Sequence, residues 1–186
     1  MTKVLNKVNL AAKVPETALV KAAIEGNTDS FTELAVRYYP AMVAIAHSIT
    51  GDRDLAEDAA QICFARAAVK LPQLKKYKRF AGWLAVICRN AANDIARQEG
   101  SRRITEKLSE IKTESANDDS TEVVKEALSK LTDSAREVIY LKYYDGLSYE
   151  QISKVLGISE QAINGRLRRA KKKMAQILRH EGFKQV

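Results

Sequence analysis

Phe80, Trp83, Leu84, Ile87, Cys88, Ala91 and Ile95 recur at steps of three and four residues. That spacing places all seven on one stripe of an α-helix and commits the stripe to a buried face. The opposite face of the same segment carries Arg89, Asn90, Asn93 and Arg97. The same period governs most of the chain, and three prolines and eight glycines in 186 residues are too few for a turn-rich β architecture. The reading is all-α: two small helical domains joined by a flexible linker.

The pattern divides the chain into an N-terminal arm over 1–15, a first domain over 16–103, a linker over 104–120, a second domain over 121–180 and a tail over 181–186. In the first domain Thr17 is the expected N-cap of a short helix ending at Gly26, and Asp29 or Ser30 starts a longer one. Pro40 falls inside that second helix and predicts a kink or break. A third helix runs from Arg53 to about Leu71 and is closed by Pro72. The linker is rich in Ser, Thr, Glu, Asp, Asn and Lys, too polar to pack a core. Its later half is acidic, which suits either mimicry of nucleic acid or plain solubility. In the second domain Ser148 and Gln151 form an expected capping box, Gly157 takes a turn, and Ser159 caps a final helix whose inward face holds Ile163, Leu167, Ala170, Met174 and Ile177.

A net charge of +8 points to a polyanionic partner, nucleic acid or an anionic membrane surface. No stretch approaches the ~20 apolar residues of a membrane span, and no signal peptide is evident, so membrane insertion is not expected and the cytoplasm is. Cys63 and Cys88 lack metal-ligand spacing and read as small core residues. No Gly-rich phosphate loop, metal cluster or nucleophile constellation is present, so neither cofactor nor catalysis is expected. His47 sits among apolar residues and reads as a surface or core-edge histidine.

A short helix, a Gly157-centred turn and a Ser159-capped second helix read as a helix-turn-helix. The first turns of its second helix would enter the major groove of DNA. There Glu160, Gln161 and Asn164, followed by Arg166, Arg168, Arg169 and Lys172, offer base-edge and phosphate contacts. Arg166–Lys173 holds six cations and no acid. Gly165 leaves two uses open: close approach of DNA or of a neighbouring helix. In the first domain Lys75, Lys76, Tyr77, Lys78 and Arg79 interleave cations with an aromatic ring just ahead of Phe80 and Trp83, a composition suited to single-stranded DNA. Trp83 lies on the apolar stripe and reads mainly as core; Tyr77 lies off any stripe and is the better stacking candidate.

At these residues the chain resembles the extracytoplasmic-function (ECF) subfamily of sigma-70-type RNA polymerase sigma factors. Asp54-Leu55-Ala56-Glu57-Asp58-Ala59-Ala60-Gln61 resembles the acidic start of region 2.2. The resemblance implies that Asp54, Glu57, Asp58 and Gln61 dock on the clamp helices of the polymerase β′ subunit. Phe80-Ala81-Gly82-Trp83-Leu84 through Asp94 is similar to the region 2.3–2.4 helix, where the preceding loop and the polar face capture melted −10 bases. Leu147 through Ala170 is similar to region 4.2, the −35 reader. The implied partners are core RNA polymerase, through the β′ clamp helices and the β flap, and promoter DNA. Many members also take an anti-sigma factor. The implied role is a non-catalytic specificity subunit. Ile62 departs from the pattern by standing where the family often has an acid. Rival readings are a free-standing DNA-binding regulator, which would need a dimer, an enzyme, and a sigma-like adaptor that binds polymerase without directing initiation.

Overall fold

A computed structural model describes residues 14–107 and 119–180. The arm before Val14, linker residues 108–118 and the tail 181–186 lie outside the described residues, and with them the acidic half of the linker. Among the described residues every regular element is helical. The first unit comprises α1 (Glu16–Ile24), α2 (Thr28–Thr50), α3 (Arg53–Lys70), two 3-10 turns (Leu71–Gln73 and Tyr77–Arg79) and α4 (Phe80–Lys107). The second comprises α5 (Asp119–Ser129), α6 (Asp133–Ile139), a π turn (Tyr140–Tyr144), α7 (Tyr149–Leu156) and α8 (Glu160–His180).

Helices α2, α3 and α4 pack on one another as a three-helix core, with α1 laid on α2. Their contact faces are built largely from alanine: Ala41, Ala44, Ala46, Ala56, Ala59, Ala60, Ala85 and Ala92 are all buried. Small side chains let helix axes approach closely, and Leu34, Met42, Ile45, Phe80 and Leu84 fill the space between. Both cysteines belong to this core. The Cys88 thiol donates to the Met42 carbonyl at 3.2 Å and the Cys63 thiol to the Leu84 carbonyl at 3.6 Å.

Three local expectations are corrected. Helix α1 begins at Glu16 with Pro15 in the capping position, so Thr17 lies within the first turn. The Pro15 carbonyl accepts from the Ala18 and Leu19 amides, and its fixed φ is already suited to a helix start. Helix α2 is capped by Asn27, whose side chain accepts from the Ser30 amide at 2.8 Å, not by Asp29 or Ser30. It also runs unbroken through Pro40. Pro40 denies an amide to the Val36 carbonyl, one turn back. Val36, Tyr39 and Pro40 all face solvent, so water can take that bond. Further along, α4 continues to Lys107, past the expected end of the first domain.

In the second unit the Ser148 hydroxyl accepts from the Gln151 amide at 3.1 Å while the Gln151 side chain accepts from the Ser148 amide at 2.8 Å. Gly157 then ends α7 with φ +67°, and its amide reaches the Ser153 carbonyl at 2.8 Å. A β-carbon there would meet nothing within 4 Å, so the need for glycine is one of backbone conformation alone.

The two units are packed together. Helix α2 contacts α6 and the π turn, and α4 contacts α7, so that one buried cluster runs from Val20 through Met42 and Phe80 to Val138, Leu141 and Ile152. The His47 ring meets Tyr140 and Tyr144 edge-on at 4.7 and 4.9 Å between centroids. Arg89 donates to the Glu137 carboxylate across the seam at 2.8 Å. Asp145 also faces this seam. One of its oxygens is buried without a hydrogen-bond partner, and burial pushes its carboxyl up from 3.8 to about 6 against the pull of an Ala44 backbone bond.

An acid whose folded pKa lies above its unfolded one binds its proton more tightly when folded. It therefore destabilises the fold once pH passes the unfolded value, with the full effect above about pH 6. Asp145→Asn is expected to stabilise the protein near neutral pH by about 1 kcal/mol, allowing for solvent screening of a half-exposed group. Urea unfolding should show that gain vanish toward pH 4. Gly157→Ala is expected to cost about 1 kcal/mol from its left-handed backbone alone, read as a lower unfolding midpoint.

Candidate functional site

Three surfaces gather the residues singled out in the sequence. The first is the helix-turn-helix. The Ser159 hydroxyl accepts from the Ala162 amide at 3.2 Å and starts α8. The Ser153 hydroxyl donates to the Ile158 carbonyl at 2.6 Å and pins the turn from the other side. Ile163, Leu167 and Ala170 are buried. This leaves Glu160, Gln161, Asn164, Arg168, Arg169 and Lys172 exposed, with Arg166 half-buried. Residues 160, 164, 168 and 172 follow one another at four-residue steps along a single face. Gly165 is half-buried on α8. The nearest group to a β-carbon there is the Arg169 guanidinium at 3.5 Å, and no neighbouring helix comes close. Lys171 of the same basic run is turned away onto the Tyr143 ring, 4.7 Å from its centroid, and hydrogen bonding to that phenol raises its pKa.

The second surface is the loop before α4 and the polar face of α4. Leu71 and Leu74 are buried and anchor the loop, and the Leu74 and Arg79 amides close its two turns on the Leu71 and Lys76 carbonyls. The loop's apolar positions thus hold it down while Lys75, Lys76, Lys78 and Arg79 project into solvent. Phe80 is fully buried, tilted against Tyr38 and Trp83 with centroids at 5.6 and 5.9 Å. Tyr77, expected to stand clear of the apolar stripe, is half-buried and packs on the core, as Trp83 does. On α4 itself Asn90, Asn93 and Arg97 are exposed, and Arg89 is half-buried in its bond to Glu137.

These two surfaces face one another. A groove of about 1040 Å³ is walled by Lys75, Lys78, Arg79 and Trp83 on one side and by Lys154, Gly157 and Ser159 on the other. The loop cations and the start of the recognition helix therefore line one space.

The third surface is acidic. Asp52 caps α3 by accepting from the Leu55 amide at 3.0 Å, and Asp54, Asp58 and Gln61 project outward. Glu57 is held by Arg53 at 3.0 Å. Asp58 and Gln61 line a shallow groove with Ile62, Ile95 and Gln98, between α3 and α4. Ile62 is 37% exposed and so forms part of the surface that the acids surround. Sequence reasoning missed the apolar ground beside it. Tyr39 stacks on Phe64 at 6.2 Å, Val36 is exposed, and burial with the nearby Glu57 and Asp58 raises the Tyr39 phenol's pKa. The signal was available, since Val36 and Tyr39 stand off the apolar stripe of α2. Among the described residues no group of histidine, cysteine, aspartate or glutamate is arranged to hold a metal ion.

The Sigma-70 region 2 family matches residues 34–102 and the Sigma-70, region 4 family matches residues 121–174. A probable RNA polymerase sigma factor, RfaY of Xanthomonas campestris pv. campestris, is 30% identical over 161 residues, covering 80% of this chain; the chain spans 40% of that relative's length. The ECF RNA polymerase sigma factor SigW of Bacillus subtilis is 26% identical over 178 residues, covering 86% of this chain and 95% of that protein. Among solved structures, CnrH in complex with the cytosolic domain of CnrY superposes with a TM-score of 0.61 at 27% identity, covering 90% of this chain and 99% of that one. Two region matches in the family's order, on an all-helical fold shared with a sigma factor, make this chain a member of the ECF subfamily of sigma-70-type sigma factors, the specificity subunits that direct RNA polymerase to promoters.

Proposed function

We propose a division of labour among the three surfaces. Asp54, Glu57, Asp58 and Gln61 hold the clamp helices of core polymerase, with Ile62 and the Tyr39–Phe64 stack as apolar ground for the same contact. The Lys75–Arg79 loop, with Arg89, Asn90, Asn93 and Arg97, holds the unpaired −10 strand. Ser159, Glu160, Gln161, Asn164, Arg166, Arg168, Arg169 and Lys172 read the −35 duplex. Residues 16–103 and 121–180 act as the two domains, with 1–15, 104–120 and 181–186 as arm, linker and tail. The protein works without catalysis of its own, in the cytoplasm; no helix among the described residues is long and apolar enough to cross a membrane. An anti-sigma factor is a fitting regulator, since the similar structure of CnrH was solved with the cytosolic domain of CnrY.

The observation that carries this reading is the separation of charge by surface. The exposed acid Asp58 of α3 lines one groove with Gln61 and Ile62, while the loop cations line another together with Lys154 and with Ser159, which caps the cation-bearing α8. A polyanion is attracted to the latter and repelled by the former.

Run-off transcription on fragmented genomic DNA with cognate core polymerase tests the reading. Discrete transcripts are expected only when this protein is added, and an Asp58→Arg variant of native circular dichroism is expected to lose them. Duplex binding without transcripts would refute initiation and favour a conventional regulator. Lys172→Ala is expected to weaken −35 duplex binding about equally across sequences and to reduce the log–log salt slope by about 0.9, measured by fluorescence anisotropy at several salt concentrations.

A further inference from the structure

We propose that the groove shared by the two units is a binding site for a nucleoside polyphosphate. The loop cations and Lys154 take its phosphates, and Trp83 takes its base. The inference goes beyond the reading of the same loop as a holder of the unpaired −10 strand and does not depend on it.

Charge sets the premise. The lining of the groove carries cations and no acid: Lys75, Lys76, Lys78 and Arg79 on one wall, and Lys154 on the other. Among the described residues no carboxylate is paired with the four loop cations. Lys154 is bonded to Glu150 at 2.9 Å, with both side chains largely exposed, and a surface pair of that kind contributes little and gives way to a stronger anion. Like charges gathered in a concave site repel one another and focus an attractive field on an incoming anion. One phosphate neutralises only part of such a set. A polyphosphate brings several charges on one small body. The Arg79 fork can grip two of its oxygens, and the lysines act as point charges around it.

Size and the apolar lining select the rest of the ligand. A groove of about 1040 Å³ lies at the upper end of small-molecule sites and is larger than a chain of phosphates needs. Beside the cations it is lined by Leu74, Trp83, Val86 and Ile158. Val86 is 53% exposed, an apolar side chain of α4 that the core does not use. The Trp83 ring is tilted on Phe80, with centroids 5.9 Å apart. That contact holds the indole in place, and the ring, only half-buried, lines the groove with its remaining surface. A fixed aromatic ring beside a row of cations is the combination that holds a base and its phosphates together. The walls come from different units, so the ligand touches both: α4 and its preceding loop on one side, α7 on the other.

Trp83 is the chain's only tryptophan, so its fluorescence reports occupancy of the groove. ATP titrated into the full chain is expected to quench it saturably, with matching heat in calorimetry. Tripolyphosphate, which lacks the base, is expected to bind about tenfold more weakly. Adenosine, which lacks the phosphates, is expected not to bind in the same range. Lys154→Glu reverses an exposed charge on the second unit's wall. It should weaken ATP binding by about tenfold or more, while a single-stranded −10 oligonucleotide, followed by anisotropy, binds it as it binds the unaltered protein. Val86→Glu, at a second exposed position, should weaken ATP binding likewise; circular dichroism checks that both variants are folded. Absence of saturable quenching and heat, or unchanged ATP affinity in both folded variants, would overturn the site. Equal affinity for ATP and tripolyphosphate would overturn the nucleoside as its ligand. Failure of the oligonucleotide to bind the unaltered protein, with ATP still bound, would refute the −10 reading and leave the nucleotide site standing.

Discussion

Alanine is the constraint on which the rest of the molecule depends. Helices α2, α3 and α4 meet through Ala41, Ala44, Ala56, Ala59, Ala60, Ala85 and Ala92, each buried, and a larger side chain at any of them would push two axes apart. Close approach makes the core stiff enough to serve as a frame. It fixes the outward side of α3 relative to the outward side of α4, and so sets acids and cations in different directions. The positions of Asp58 and Asn93 are consequences of that packing.

Local chemistry was legible in the sequence and long-range chemistry was not. The Phe80–Ile95 stripe, the Ser148–Gln151 box and the left-handed Gly157 each follow from residues within a turn or two of one another, where period and hydrogen-bond geometry leave little choice. Thr17 was misplaced as a cap, and Asp29 or Ser30 as the start of α2, because Pro15 and Asn27 take the capping role two or three residues earlier. Pro40 misled for a different reason: whether a proline breaks a helix depends on whether the freed carbonyl meets water, and that requires knowing which side is outside. The seam had no local signature at all. Arg89 and Glu137 stand 48 positions apart in different helices, and only the tertiary arrangement makes them partners. Tyr77 shows the same limit, since a ring off the apolar stripe of one helix was captured by the packing of another.

The candidate surfaces divide by how they are held. The recognition helix is positioned by hydrogen bonds at its first turn and by three buried side chains beneath it, so its exposed row is presented on a rigid support. The Lys75–Arg79 loop is held by two leucines and two backbone turns, which fixes its course while its long cationic side chains extend into solvent. Such a difference suits a duplex of constant shape on one hand and an unpaired strand on the other.

The turn at Tyr140–Tyr144 is wound as a π turn, with the Asp145 amide reaching back five residues to the Tyr140 carbonyl at 3.2 Å. A helix in that state carries one residue more than its regular register requires. Removing a single residue between Tyr140 and Tyr144 would restore an ordinary helical ladder and bring the two tyrosines from four positions apart to three, changing the placement of the rings that meet His47. The fit between the two halves of the protein is thus written as a length as much as a composition. A lineage could gain or lose it through one codon's insertion or deletion, with every side chain in the seam left unchanged.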